Sequence, residues 1–416
     1  MKKKVLNWTR KFGTFCFLDN HQYQLEPHSQ ECLLAAGVRS SMGGEGGLAL
    51  PLLQEYLDSG RGWLFGHLGY ELKDEIEGLH SSHPDRIGFP DLFFFEPEVM
   101  VRLSPSWMHI EAEDPGMIYQ AILETAADSP GILINEGTRI QGRLSKEEYI
   151  SVVEKLRRHI LRGDCYEINF CQEFFALQAD LDPVKLYQQL SSISPNPFSA
   201  LYRKGEQWLV CASPERFLRR EGNRLLSQPI KGTSRRFVAD AQADAQSREQ
   251  LYRSEKDRSE NVMVVDLVRN DFSRVCTEGS VKVDELYGVY AFPQVHQMIS
   301  TVSGELRKGV FFADIIRACF PMGSMTGAPK KKVMELIEKY EPSRRGIFSG
   351  ALGYIAPGGD FDFNVVIRSI LYHAGTGYLS IPVGSGITYY SDPLKEWEEC
   401  ELKIAGMREV LGGTTS

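Results

Sequence analysis

The chain is predicted to be an α+β protein, an antiparallel sheet with helices on its outside. Three observations predict this. The segment FSGALGYIAPGGDFDFNVVIRSILYHAGTGYLSIPV is a run of strands joined by GG and GTG turns, and strands joined by such tight turns pair antiparallel. Well-capped helical segments stand apart from it in sequence and do not alternate with strands as in a doubly wound fold. Glycine is abundant, at 38 of 416 residues, which suits many tight turns and close backbone approaches around a small-molecule cleft.

The elements follow in order. From Val5 to about Ile140 the chain is short apolar runs broken by Gly, Pro and Ser. GWLFGHLGYEL and FPDLFFFEPEVMVRL read as strands with turns, VRSSMGGEGGLA as a flexible loop, and Asp114 to Glu136 as a helix-and-loop excursion. A helix then opens at Ser145. Ser145 is its N-cap and Glu148 stands at N3, a capping box; Ile150, Val153, Leu156 and Ile160 give it an apolar face, and Gly163 ends it. CYEINFCQEFFAL alternates as a strand. DPVKLYQQLSSI is a short helix stopped by SPNPF, and WLVCASPERFLRR and RLLSQPIKGTSRR are strands with turns. Helices are expected from Glu255 to Leu267, over GVFFADIIRACF, and from Pro329, placed at N1, to Tyr340. After three strands in the hairpin segment, Asp392-Pro393 opens a last helix to about Met407.

Composition bounds the function. At 42% hydrophobic and 25% charged, the chain is an ordinary globular one with no repeat or low-complexity tract. A net charge of -8 disfavours nucleic-acid binding, though a local basic pocket can still take an anion. No stretch approaches the about 18 apolar residues of a membrane span, and no apolar run follows the N-terminal lysines as a leader would require. The eight cysteines form no CxxC pair or zinc spacing and are expected as buried thiols of a reducing, cytoplasmic compartment.

Four segments carry chemistry. GSMTGAPKKK fails the GxxxxGK phosphate-loop pattern. It is either a small-residue loop whose helix N-terminus holds a carboxylate or a turn before a helix. On the last helix Glu396 and Glu399 share a face; on an earlier one Asp257 and Glu260 do. Two such helices can hold Mg²⁺, a hard ion that takes oxygen ligands, though acidic helix starts are also favoured by the helix dipole alone. Lys231 in QPIKGTSRR is a solvated charge, an anion anchor or a nucleophile. The last requires its pKa to fall by about 3 from about 10.4, at about 4 kcal/mol. Arg235 and Arg236 read equally as surface charges.

Taken together, SPERF, PIKGT, SEKDRSENVMVVDLVRND, GSMTGAPK, FSGALGY, FNVVIRS and VGSGITYYSDPLKEWEE, in this order, resemble the chorismate-binding enzymes: anthranilate synthase large subunits, aminodeoxychorismate synthase component I, and isochorismate and salicylate synthases. The resemblance is strong over about residues 140 to 410 and loose before that. It implies a large two-layered, mostly antiparallel β structure with flanking helices and an active site between the layers. It also implies a catalytic region at 141–410 and an N-terminal part at 1–140 packed on the same core.

The resemblance further implies residue roles. Lysine in PIKGT is usual in aminodeoxychorismate synthases, where anthranilate synthases carry alanine. Lys231 would add to C2 of chorismate as the C4 hydroxyl leaves, and ammonia would then add at C4. Glu215 of SPERF would protonate the hydroxyl. His296 would assist, although VHQMIST places it one residue earlier than expected and puts Gln297 in the later place. Mg²⁺ would be held by Glu260 and Glu399, with Glu396 and Asp257 nearby. Arg368, Tyr354 and the backbone of Gly384, Ser385 and Gly386 would hold the enolpyruvyl carboxylate, with Gly232, Thr233, Thr326 and Gly327 also touching substrate. No glutamine amidotransferase segment is found, so ammonia is expected from a separate glutaminase subunit. Water-using isochorismate or salicylate synthesis is the alternative, anthranilate synthesis stands behind it, and a silent chorismate-binding scaffold is the non-enzymatic reading. A tryptophan pocket is a weak expectation, since ECLLAAGVRSS lacks the expected polar features.

Overall fold

The computed structural model describes residues 1–23, 32–44, 47–128, 133–135 and 138–411. Two large sheets face each other. Among the described residues one has eleven strands and the other ten, and every pairing of strands is antiparallel. In the first sheet the central order is Glu167–Ala176, Tyr378–Ile387, Ser369–His373, Gln207–Ser213, Phe198–Lys204 and Thr14–Asp19. In the second it is Ile230–Arg235, Val295–Glu305, Arg224–Gln228, Arg216–Glu221, Phe361–Val365, Ala351–Ile355 and Leu64–Leu68. The α+β expectation with two layers holds.

The N-terminal part is woven into both layers. Thr14–Asp19 pairs with Phe198–Lys204, and Leu64–Leu68 with Ala351–Ile355. ECLLAAGVRSS contributes a fully buried strand, Cys32–Ala36, with Glu31 outside the described residues. VRSSMGGEGGLA, expected as a loop, holds an edge strand, Ser40–Gly44, paired with Leu92–Glu96. Its Glu45 and Gly46, like Glu136, lie outside the described residues.

Side-chain alternation splits the core in two. Cys16, Leu209 and Cys211 point between the sheets, toward Phe65, Phe94 and Phe363. Phe15, Phe17, Trp208 and Val210 point outward, under helices that supply Val153, Leu156, Leu186 and Ile404. Both faces of the first sheet are therefore covered, and all ten residues of Glu167–Ala176 are buried.

The helix Lys146–Leu161 begins with the expected capping box: Glu148 N–H donates to Ser145 Oγ at 3.2 Å and Ser145 N–H to Glu148 Oε2 at 2.8 Å. Its buried stripe runs through Tyr149, Val153 and Leu156, with Ile150 only half-buried. Gly163 follows at φ +80°. Pro329 is the extended N-cap of Lys330–Tyr340 rather than its N1 residue. The helix expected to stop at Leu267 continues to Ser273.

The hairpin segment contains four strands, not three. Ala351–Ile355 and Phe361–Val365 form one hairpin in the second sheet, and Ser369–His373 and Tyr378–Ile387 another in the first. Val366, Ile367 and Arg368 carry the chain between sheets, and Arg368 does so at φ +50°, a region costly for a side chain with a Cβ. An apolar run with no turn residue hides this crossing in the sequence.

Candidate active site

The crossing places Arg368 beside the second sheet's edge, where Ile230–Arg235 pairs with Val295–Glu305. The register there shifts around Gly232, which takes φ +92°; a Cβ on it would lie 3.0 Å from Asp257 and 3.1 Å from Leu251. This bulge turns Lys231 inward, its side chain 11% exposed. Lys231 Nζ donates to Glu167 Oε1 at 2.6 Å, across the gap between the sheets. Glu167 is 2% exposed, and its Oε2 is buried with no hydrogen-bond partner. Nothing in the sequence marked it. It is one of four polar residues, with Asn169, Gln172 and Glu173, in the strand segment CYEINFCQEFF, and only the facing of the two sheets brings it to the lysine.

Gly386 explains how close these groups stand to backbone. A Cβ there would fall 3.1 Å from both Lys231 Nζ and Glu167 Oε1, and 3.9 Å from Glu260 Oε2. The small-residue loop pins the other side. Asn169 N–H donates to Thr326 O at 2.8 Å, and a Cβ on Gly327 would lie 2.1 Å from Glu167 O. The buried Thr326 hydroxyl donates to Met322 O, so this loop clamps the strand that carries Glu167.

Electrostatics separates the groups. Burial lowers the Lys231 pKa, but Glu167 and Glu260 outweigh it and hold the ammonium charged well above the ordinary lysine value. The fall in pKa that a nucleophilic role requires is thus not present in the free protein. Glu215 is buried and pushed up to about 7, burial outweighing Ser324, Lys231, the Ile230 backbone and Arg368. Glu260 is likewise pushed up to about 7 by burial, against Lys231. Arg368 is drawn down by burial, with Glu215 opposing. Both its terminal nitrogens lie 3.1 Å from the side-chain amide of Gln297, the amide oxygen facing them.

The four acidic residues of the two helices, Glu260, Glu396, Glu399 and Asp257, all act on one cation, Lys256, and raise its pKa against the effect of burial. Its Nζ lies 3.9 Å from Glu260 and 3.8 Å from Glu396. Glu396 is buried and accepts from Ser385 Oγ; Glu399, 44% exposed, is 2.7 Å from Lys403, which also donates to Gly384 O at 2.8 Å. Among the described residues no three His, Cys, Asp or Glu side chains converge closely enough to hold an ion unaided.

Three expected residues stand elsewhere. His296 is buried facing the other way, its Nε2 3.1 Å from Asp244. Because strand side chains alternate, its neighbour Gln297 is the one turned to Arg368. Thr233 is exposed, paired with Gln297. Tyr354 packs, with tilted rings, against Trp63 (ring centroids 5.4 Å) and Phe65 (6.0 Å), opposite Asp362, whereas the site end of that hairpin pairs Ala351 with Val365.

The chain matches the chorismate binding enzyme family over residues 43–409. It is 35% identical to aminodeoxychorismate synthase component 1 of Klebsiella aerogenes over 345 residues, covering 82% of this chain and 76% of that one. It is also 35% identical to anthranilate synthase component 1 of Thermus thermophilus over 361 residues, covering 84% and 77%. The fold is similar to the crystal structure of anthranilate synthase component I from Streptococcus pneumoniae TIGR4, with TM-score 0.81, 24% identity, and 93% and 94% of the two chains covered.

Proposed function

The chain belongs to the chorismate-binding enzymes, of the anthranilate, aminodeoxychorismate and isochorismate synthase type, and we propose that within them it makes 4-amino-4-deoxychorismate from chorismate and ammonia. The observation that carries this reading is Lys231: a buried amine in the centre of the site, within reach of Glu167 and between Glu215 and Glu260.

In this reading Lys231 Nζ forms a bond to ring carbon C2 while the C4–O bond breaks. Glu215, protonated in a good fraction of molecules near neutrality, gives the leaving hydroxyl its proton, so water departs. Ammonia then bonds to C4, and the C2–N bond breaks to free the lysine. Arg368, steadied by Gln297, binds the enolpyruvyl carboxylate through a charge-assisted fork. The absence of a side chain at Gly386 lets Lys231 and Glu167 lie against the backbone there.

The donor set suits Mg²⁺. Glu260 Oε1 is buried without a hydrogen-bond partner, with Lys256 Nζ at 3.9 Å, and the acidic candidates around it offer oxygen. Glu260, Glu396 and Glu399 would hold the ion, with Asp257 alongside. Bound there, Mg²⁺ would neutralise and fix the ring carboxylate. Ammonia would come from a separate glutaminase subunit, and free ammonium should replace that subunit in a purified reaction.

The test is product identity. Protein, chorismate, Mg²⁺ and excess ammonium are incubated at mildly alkaline pH and resolved by liquid chromatography with mass detection. The expected product has the mass of aminodeoxychorismate and is lost in Lys231→Met. Isochorismate or salicylate would assign the water-using reaction, the second reading, with Lys231 acting on water instead of carbon. Anthranilate would overturn the role given to Lys231, and no turnover would leave a chorismate-binding scaffold.

A further inference from the structure

We propose that Glu167 is a further catalytic residue, the acceptor that takes the proton from Lys231 before its nitrogen bonds to the substrate and returns it when the lysine leaves. This rests on the reaction proposed above and assigns its missing base.

An amine adds to carbon only through its lone pair, so an ammonium must first lose a proton. Lys231 is charged in the free protein. Its hydrogen-bond acceptor is Glu167 Oε1, at 2.6 Å, within the reach required of a general base. Glu215 cannot fill this role, since the same step needs it as the acid. Glu260 is ion-paired with Lys256, at 3.9 Å, whereas Lys231 is paired with Glu167, and Glu260 serves the cation site.

Glu167 is also held for the task. Its buried Oε2 has no hydrogen-bond partner, so no second donor competes with Lys231 for the carboxylate. Its own carbonyl is walled by Gly327, and its strand is tied down two residues on, where Asn169 O accepts from the buried Arg345 at 2.8 Å. Such clamping keeps the two side chains in one geometry without a cost at the moment of reaction.

The protons balance. Lys231–NH₃⁺ and Glu167–COO⁻ become Lys231–NH₂ and Glu167–COOH. The amine lone pair forms the N–C2 bond, the C4–O bond breaks, and water leaves with the proton of Glu215. The bound nitrogen is then a secondary ammonium. Attack of ammonia at C4 expels it as the neutral amine, Glu215 recovers a proton from the new C4 ammonium, and Glu167 returns its proton to Lys231.

The charged groups facing Lys231 are Glu167 and Glu260 from opposite layers and Glu215, with Glu399 beyond them. Replacing only the first separates its part. In the full chain without chorismate, Lys231 acylation by acetic anhydride is followed by peptide mass spectrometry from about pH 6 to about pH 11. Glu167→Gln should move half-labelling at least about one pH unit lower, making Lys231 about tenfold more reactive at mildly alkaline pH. An unmoved or upward-shifted profile overturns the proposal. With chorismate and ammonium, the same variant should lose about a hundredfold in kcat while KM for chorismate stays within about twofold. Unchanged kcat, or a loss confined to KM, also overturns it. Glu167→Asp, which keeps the carboxylate, should recover part of kcat, and it carries both measurements if Glu167→Gln does not fold. Acylation needs no turnover, so a wild-type product other than aminodeoxychorismate sinks the proposed function without being mistaken for failure of the Lys231–Glu167 pair.

Discussion

Glu215 and Glu260 are both pushed up to about 7 by burial, which favours their neutral acids, while Lys231 is raised against burial by Glu167 and Glu260, which favours its charged form. If Glu215 acts as the acid, kcat/KM should fall as pH rises through about 7, because the proton it must donate is then lost. Glu215→Gln should lower kcat about a hundredfold and remove that alkaline limb; a limb that survives would assign it to another group. The neighbours His296 and Gln297 give a sharper contrast. Gln297→Ala should raise KM for chorismate several-fold by freeing Arg368. His296→Ala should leave both constants near wild type and cost about 1 kcal/mol of stability through its lost bond to Asp244. The opposite pattern would return His296 to the site. The sequence analysis gave the site role to His296, and the structure turns Gln297 toward Arg368 and His296 toward Asp244, because a one-residue offset in a strand exchanges faces.

At the scale of elements, the site is a junction, and Arg345 is its tie. Its guanidinium is 3% exposed and binds Glu341 (2.6 and 2.8 Å), Met325 O (2.7 Å), Asn169 O (2.8 Å) and Ser349 Oγ (3.3 Å). It thereby joins the strand of Glu167, the small-residue loop and the turn before Ala351–Ile355. Arg345→Leu removes one partner of a buried pair and leaves Glu341 uncompensated, so unfolding by urea should show a loss of about 3–5 kcal/mol. A loss under about 1 kcal/mol would mean that Glu341 is satisfied by other means. Helix ends were the most legible elements. Ser145 with Glu148, and Asp392 before Pro393, are local signals that act within one turn. The strand break at Val366–Arg368 was illegible, since it answers to two sheets distant in sequence.

For the whole molecule, pH should act through the buried carboxyls. Glu71, Glu215 and Glu260 are raised to about 7 and Asp271 to about 6, in each case chiefly by burial. A folded pKa above the unfolded one means that the folded state binds more protons. The contribution is therefore full below about pH 4 and lost as pH rises through about 6 to 7. With chelator present, Tm should fall from about pH 5.5 to about pH 8, and less so in Glu215→Gln. Added Mg²⁺ should raise Tm more at the higher pH, because the ion needs Glu260 ionised. A Mg²⁺ effect equal at both pH values, read by calorimetry, would remove Glu260 from the ligands. No helix among the described residues is long and apolar enough to cross a membrane, in line with the absence of any such run in the sequence. By itself the sequence determined the α+β class, the helix caps, the hairpin turns and the chemical types in each motif, because these depend on neighbours a few residues away. The tertiary structure alone decided that Glu167 meets Lys231, that Gln297 rather than His296 faces Arg368, and that Lys231 is charged. Those outcomes depend on strand register and on burial between two sheets, and both bring together residues tens of positions apart, such as Glu167 with Lys231 and Gln297 with Arg368.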